Sequence, residues 1–280
     1  MKNYDGYQCT HCFHFLLHPC GKMICQKPRL FYATILFKYY LKFNPKNPEW
    51  EDRDRFILSA GHGSMLMYSL LYLLGYPKIS MDHIKSFRKV NSPAAGHPEF
   101  GELPGIETTT GPLGQGLGNG LGMAISEKIM RQRYGENIFN HHTYILAGDG
   151  CLMEGISHEF ASLAGHLNLS NLVLIYDDNK ISIDGPTSLT MSDNTLERFN
   201  ALGWHTTSID GYNLEEVDSA LTNAKLDPRP SLISCQTLIG YGAPNKQNTA
   251  GSHGAPLGEE EIQMAKKNMK WNYDKFVLPD

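Results

Sequence analysis

No stretch of this 280-residue chain comes near the ~18 consecutive apolar residues that cross a bilayer, so no membrane partner is expected. Positive charge is not in excess either. Twenty-five Lys and Arg face 29 Asp and Glu, leaving a net −4, which gives no support for general nucleic-acid binding. The pattern of a secretory leader is missing, because the apolar run 13–17 is too short and is flanked by His and Cys. No internal repeat is visible. Cysteine is sparse after residue 25, where only Cys151 and Cys235 remain; isolated thiols suit a reducing compartment and a cytoplasmic location. The other four, Cys9, Cys12, Cys20 and Cys25, crowd the N-terminus beside His11, His14 and His18. Cys9-x-x-Cys12 resembles half a zinc site, but the spacing from Cys12 to Cys20 to Cys25 fits no standard finger.

Hydrophobic residues make up 41% and charged residues 19%, an ordinary balance for a globular protein long enough for one large domain or two small ones. Apolar periodicity predicts helices over 31–40, 65–74, 113–134, 154–167, 194–202 and 214–225, with a final helix and tail after 258. Short apolar runs predict strands at 56–59, 143–147, 172–176, 205–209 and 231–238. The alternation from 143 to 238 argues for an α/β fold, a doubly wound, mostly parallel sheet with helices on both faces. Residues 91–112, rich in Gly, Pro, Thr and Glu, read as a long loop, and loops of that length in compact domains are usually functional or disordered. In the helix over 113–134, Gly116/Gly120 and Gly118/Gly122 lie four apart, which signals close packing against another helix or a ligand.

The most informative motif is Gly148-Asp149-Gly150, followed thirty positions after the aspartate by Asn179. Each follows an apolar strand. In a parallel sheet the loops after neighbouring strands share the carboxyl edge, where ligands bind. Asp149, Asn179 and a backbone carbonyl at Ile181 therefore offer oxygen ligands for a hard cation, Mg²⁺, with Ca²⁺ or Mn²⁺ able to substitute. The glycines allow a diphosphate to approach the backbone. Taken singly, each motif is ordinary turn chemistry; their spacing after two strands is what makes a metal-bridged diphosphate the better reading. His62, His97 and His253 each lie on a loop beside Gly or Pro, positions from which an imidazole can reach phosphate or hydroxyl groups over the sheet edge. Gly111, Pro112 and Leu113 lead into the glycine-rich helix and shape a rigid surface for a flat ring. His141, His142, His158, His166 and His205 have no such context and read as structural or solvated.

Together, Ser59-Ala-Gly-His-Gly-Ser64, the stretch from Gly105 to Gly116, Gly148-Asp-Gly-Cys-Leu-Met-Glu-Gly155, the stretch from Tyr176 to Gly185 and Ser252-His-Gly-Ala-Pro-Leu-Gly258 closely resemble transketolase in its N-terminal, diphosphate-binding domain. The resemblance runs from about Ala33 to the end. It implies that Asp149, Asn179 and the Ile181 carbonyl hold Mg²⁺. It implies that His62, Gly111, Pro112, Leu113, Gly150, Asn179 and His253 bind thiamine diphosphate. His97 and His253 are implied to line the substrate channel, with His253 handling protons near the reacting carbon. Glu154 and Glu159 are similar to family residues at the subunit interface. The implied reaction moves a two-carbon ketol unit between sugar phosphates; an inactive fragment or a related ketol synthase is the alternative.

Two departures from the family qualify this. Residues 1–32 are an atypical segment: Lys22 stands where the family has a substrate-contacting histidine, and the expectation is an altered reading frame upstream of Ala33. The pyrimidine-binding domain, with its activating glutamate and phosphate-gripping arginines, is expected from another chain in a homo- or hetero-oligomer. The chain alone is accordingly expected to lack ketol-transfer activity.

Overall fold

A computed structural model describes residues 32–278. The Cys/His-rich stretch and Lys22 lie outside the described residues. The main sheet has five strands: β1 (Arg55–Leu58), β2 (Thr143–Gly148), β3 (Leu172–Asp178), β6 (His205–Asp210) and β7 (Ser231–Gln236), in the order β1-β2-β3-β7-β6. Every pairing in it is parallel. The central strands are buried from end to end, β2 and β3 without exception, as expected for a parallel sheet covered on both faces.

Side chains alternate between those faces. Tyr144, Leu146, Val173 and Ile175 point into one core, with α1 (Ser64–Leu73) and α7 (Leu214–Leu226). Ile145, Ala147, Leu174 and Tyr176 point into the other, with α3 (Gln115–Tyr134), α5 (Gly155–His166) and α6 (Thr195–Ala201). Trp204 closes the second core and donates its indole N–H to Ala161 O at 2.8 Å. The short helix α2 (Met81–Lys85) has Ser80 as its N-cap, and α8 (Glu259–Asn268) follows the late loop.

The structure differs from the sequence expectation in four places. First, the Gly-Asp-Gly motif is no free turn. Asp149 opens a short helix that the sequence did not predict, α4 (Asp149–Met153); it ends at extended Glu154, and α5 (Gly155–His166) lies within one residue of each bound of the expected helix over 154–167. Second, the two glycine pairs of α3 face different ways. A Cβ at Gly116 would press on Ser59 at 2.7 Å, and one at Gly120 would run into Ile145, so that pair packs on the sheet rather than on a helix or ligand. Gly118 meets Ile156 of α5 at 2.9 Å, while Gly122 has open space. Third, the segment from 31 to 40 passes into a π-helical turn, Leu36–Tyr40. Fourth, the loop after β3 contains a small hairpin, β4 (Ile181–Ser182) with β5 (Gly185–Pro186). Residues 91–112 contain no helix or strand.

Candidate functional site

Register brings the two key loops together. Gly148 at the end of β2 sits level with Asp177 on β3, so Asp149, just past β2, lies beside Asp178, the last residue of β3. Lys180 takes a left-handed turn (φ +62°). That turn brings the chain back so that Ile181 N–H donates to Asn179 Oδ1 at 3.0 Å, and Thr187 N–H closes the loop on Lys180 O at 2.9 Å.

The Asn179 amide is held in one orientation. Its NH₂ donates to Asp177 Oδ2 at 3.0 Å, while Asp177 Oδ1 accepts from Thr237 Oγ1 at 2.8 Å and Tyr32 Oη at 3.2 Å. A carboxylate can only accept, so the amide nitrogen must face it and the amide oxygen must face away. Asn179 Oδ1 keeps a second lone pair beyond the one taken by Ile181.

Asp149 is 3% exposed. Its Oδ1 accepts the Tyr176 hydroxyl at 2.6 Å, and its Oδ2 is buried with no donor among the described residues. Leaving a buried charged oxygen unmatched costs about 1–3 kcal/mol or more; a bound cation removes that cost. Burial pushes the carboxyl up to about 6, with Asp178 and Asp177 adding to the rise and the Tyr176 hydrogen bond opposing it. The donor set of one carboxylate, one amide oxygen and neighbouring backbone is all oxygen, which fits Mg²⁺ or a related hard cation. Among the described residues no three His, Cys, Asp or Glu side chains form a metal cluster, and this donor set requires none.

The remaining expected residues gather around the same edge. Leu113 packs tightly over Gly150, its Cδ1 3.0 Å from where a Cβ would be, so a side chain at that position would crowd the Leu113 loop at the start of α4. The His62 and His253 rings lie 5.3 Å apart. The His62 loop packs tightly on residues 110 and 111: a Cβ at Gly61 would meet Thr110 Oγ1 at 2.7 Å, and that hydroxyl donates to Leu58 O at 2.8 Å. His97 is exposed, and its ring lies at ordinary contact distance from Gly111. Tyr68 Oη holds the His97 carbonyl at 3.1 Å, and Ser64 Oγ holds those of Ala95 and Gly96 at 3.1 and 2.9 Å. The loop carrying His253 touches the β4–β5 hairpin through Gly254 and Ile183. Pro112 flanks this ring of loops, exposed.

Sequence reasoning missed the groups behind the ligands. Tyr176 reads as one more apolar strand residue, and Asp177 as no more than the residue that ends the run. Thr237 and Tyr32 carried no signal, since only folding brings positions 60 and 145 residues away from Asp177 onto its carboxylate.

A family model described as transketolase, thiamine diphosphate-binding domain, matches residues 18–280. The transketolase of Cereibacter sphaeroides is 51% identical over 247 residues, covering 88% of this chain and 38% of its own. That of Buchnera aphidicola is 54% identical over 252 residues, with the same shares. Among solved structures, transketolase from Leishmania mexicana superposes with a TM-score of 0.89 at 39% identity, over 96% of this chain and 42% of that one. A Pichia stipitis transketolase complexed with sedoheptulose 7-phosphate gives 0.86 at 38% identity, over 93% and 41%. The chain thus spans 38% of the length of those curated relatives.

Proposed function

The chain belongs to the transketolase family, matched over its thiamine diphosphate-binding domain, and from that premise we propose that the carboxyl-edge site holds the diphosphate end of thiamine diphosphate through Mg²⁺. The observation that carries this is the buried Asp149 Oδ2, which has no donor among the described residues, on the loop next to the oriented Asn179 oxygen. Asp149, Asn179 and the Ile181 carbonyl would hold the cation. Gly150, His62 and His253 would contact the diphosphate, and the backbone of residues 111–113 would support the ring. When bound, the cofactor supplies the carbanion-stabilising chemistry. The protein's share is to orient it, to line the approach with His97 and His253, and to handle a proton at His253.

The whole-enzyme reaction, transfer of a two-carbon ketol unit between sugar phosphates, extends this reading. The relative from Pichia stipitis carries a sugar phosphate in its structure. A second chain supplying the pyrimidine-binding domain would complete the site in a homo- or hetero-oligomer. An exposed apolar face supports a partner: Ile156 and Leu163 are 40% and 42% exposed on α5, with Leu113 at 38% beside them, and Glu154 and Glu159 lie on the same exposed side. We place the domain at 33–280, with Tyr32 at its border already bound to Asp177. A cytoplasmic location agrees with the free, buried thiols of Cys151 and Cys235. Among the described residues no helix is long and apolar enough to cross a membrane.

The test is titration of the full chain with Mn²⁺ and thiamine diphosphate, followed by electron paramagnetic resonance. Mutual enhancement of the two affinities is expected. Ketol transfer should be absent from the chain alone and appear on mixing with a chain carrying the pyrimidine-binding domain. Independent binding of the two, or no binding, would refute the reading.

A further inference from the structure

At the other end of the strands, the amino edge of the sheet holds a cavity of about 440 Å³, a volume typical of small-molecule sites. Three cations, Lys42, Arg131 and Lys225, and three acids, Asp54, Glu136 and Asp227, line it. The formal charges balance, but the partners of these groups do not. Asp54 has both oxygens matched by backbone N–H groups. Asp227 is taken by Arg229, whose Nε and one terminal nitrogen donate to it at 2.9 Å. Lys42 is taken by Asp52 at 2.6 Å.

Two cations keep open donors. Arg131, in the last turn of α3, meets Glu127 at 3.2 Å through Nε, and its terminal N–H groups have no acceptor among the described residues. Lys225, in the last turn of α7, has no acceptor among them either. The carbonyl end of each helix carries about half a negative charge, less than the full positive charge placed there.

His142 registers the resulting field. Its ring lies over that of Tyr144, with centroids 5.8 Å and planes 18° apart. Burial pushes its pKa down to about 3, and Lys225, Lys42, His141 and Arg131 push it the same way. At neutral pH the imidazole is therefore uncharged and has one N–H to donate. The half-buried Ser170, also in the lining, adds a hydroxyl.

These donors fit an oxyanion. A carboxylate offers two oxygens to Arg131, Lys225, His142 and Ser170, whereas a phosphate offers three and suits the arginine fork. A bare phosphate, a few water volumes of about 30 Å³ each, would leave much of the cavity unfilled. Glu136, exposed and without a partner among the described residues, is an acceptor for a hydroxyl. We propose that the amino-edge cavity is a ligand site of its own, which takes a small organic phosphate bearing hydroxyl groups, with the phosphate on Arg131 and Lys225 and a hydroxyl on Glu136.

The test is titration of the full chain, labelled with ¹⁵N-histidine, with glucose 6-phosphate, read from the side-chain nuclear magnetic resonance signals. His142 reports on the amino edge, and His62 and His253 on the carboxyl edge. A saturable shift of His142 is expected, and glucose, which lacks the phosphate, should cause none at the same concentrations. Lys225→Gln changes an exposed side chain and should weaken the affinity at least about tenfold, as expected for one hydrogen bond to a charged group. Arg131→Gln should do the same; since it also takes the partner of buried Glu127, Lys225→Gln is the variant that decides. A response confined to His62 and His253 would overturn the proposal, as would no response, an equal response to glucose, or an affinity unchanged in Lys225→Gln.

Discussion

The two edges of the sheet carry the same kinds of residue and treat them in opposite ways. At the amino edge, Asp54 is 4% exposed, yet both its oxygens are matched, by His142 N–H at 2.6 Å and Lys42 N–H at 2.7 Å. Asp52 beside it accepts from Asn140 N–H at 2.7 Å, His141 Nδ1 at 3.2 Å and Lys42 Nζ at 2.6 Å. At the carboxyl edge, Asp149 is equally buried but one oxygen has no donor among the described residues. Burial pushes the carboxyls of Asp54 and Asp149 alike up to about 6. Perturbed titration therefore does not separate a structural carboxylate from a functional one here. The unmatched oxygen does, because a closed hydrogen-bond set has no capacity left for a ligand.

Breaking each edge should therefore have different consequences. The largest effect is expected for Asp149→Ala, which removes a direct ligand: Mn²⁺ affinity should fall by more than about a hundredfold, beyond the usual cost of losing an outer residue. Asp54→Ala should instead leave Mn²⁺ affinity intact and cost about 3 kcal/mol of stability, because it strands two part-buried N–H groups; urea denaturation would measure it. A change in Mn²⁺ affinity of the folded Asp54→Ala protein would erase the distinction between the edges.

The pH dependence sharpens the contrast. The folded pKa of Asp149, about 6, lies above its ordinary 3.8, so its contribution to stability is present below pH 3.8 and lost as pH rises through 6. Asp149→Asn removes that loss. Without metal, the variant should be more stable than the parent above pH 6 by on the order of 2 kcal/mol, and no different near pH 4. Saturating Mg²⁺ and diphosphate should reverse the order. Melting curves across pH with and without metal would show it, and a variant less stable at every pH without metal would contradict the assignment.

The smallest effects test the packing that carries the edge. Gly120→Ala should cost about 2 kcal/mol by overpacking, since its Cβ would run into Ile145. Gly122→Ala, two residues on and facing open space, should gain up to about 1 kcal/mol from helix propensity. Equal effects at the two positions would mean that α3 does not sit on the sheet as described.

Much of the fold was legible in the chain. The fully apolar runs of β2 and β3 marked a parallel sheet covered on both faces, because a strand with one wet face would alternate. The helix of residues 115–134 appeared within two positions of the expected 113–134. The short helix over 149–153 was not legible, because Gly148-Asp149-Gly150 reads as a turn and only folding makes Asp149 its first residue. Nor was the facing of the two glycine pairs in α3, since spacing tells which residues share a stripe but not what the stripe meets.

What the sequence by itself determined is a set of local chemical types at fixed separations: an aspartate and an asparagine each just past a buried strand, and histidines and glycines on loops. That suffices to name oxygen ligands and a sheet edge, because strand direction and side-chain chemistry are local properties. Only the tertiary structure decided how those ligands are presented. Asn179 is oriented by Asp177, itself held by Thr237 and Tyr32, and Asp149 is left with one free oxygen because Tyr176 takes the other. The physical reason is that a hydrogen bond of under 3.5 Å between residues far apart in the chain depends on register and packing, neither of which is encoded at any single position.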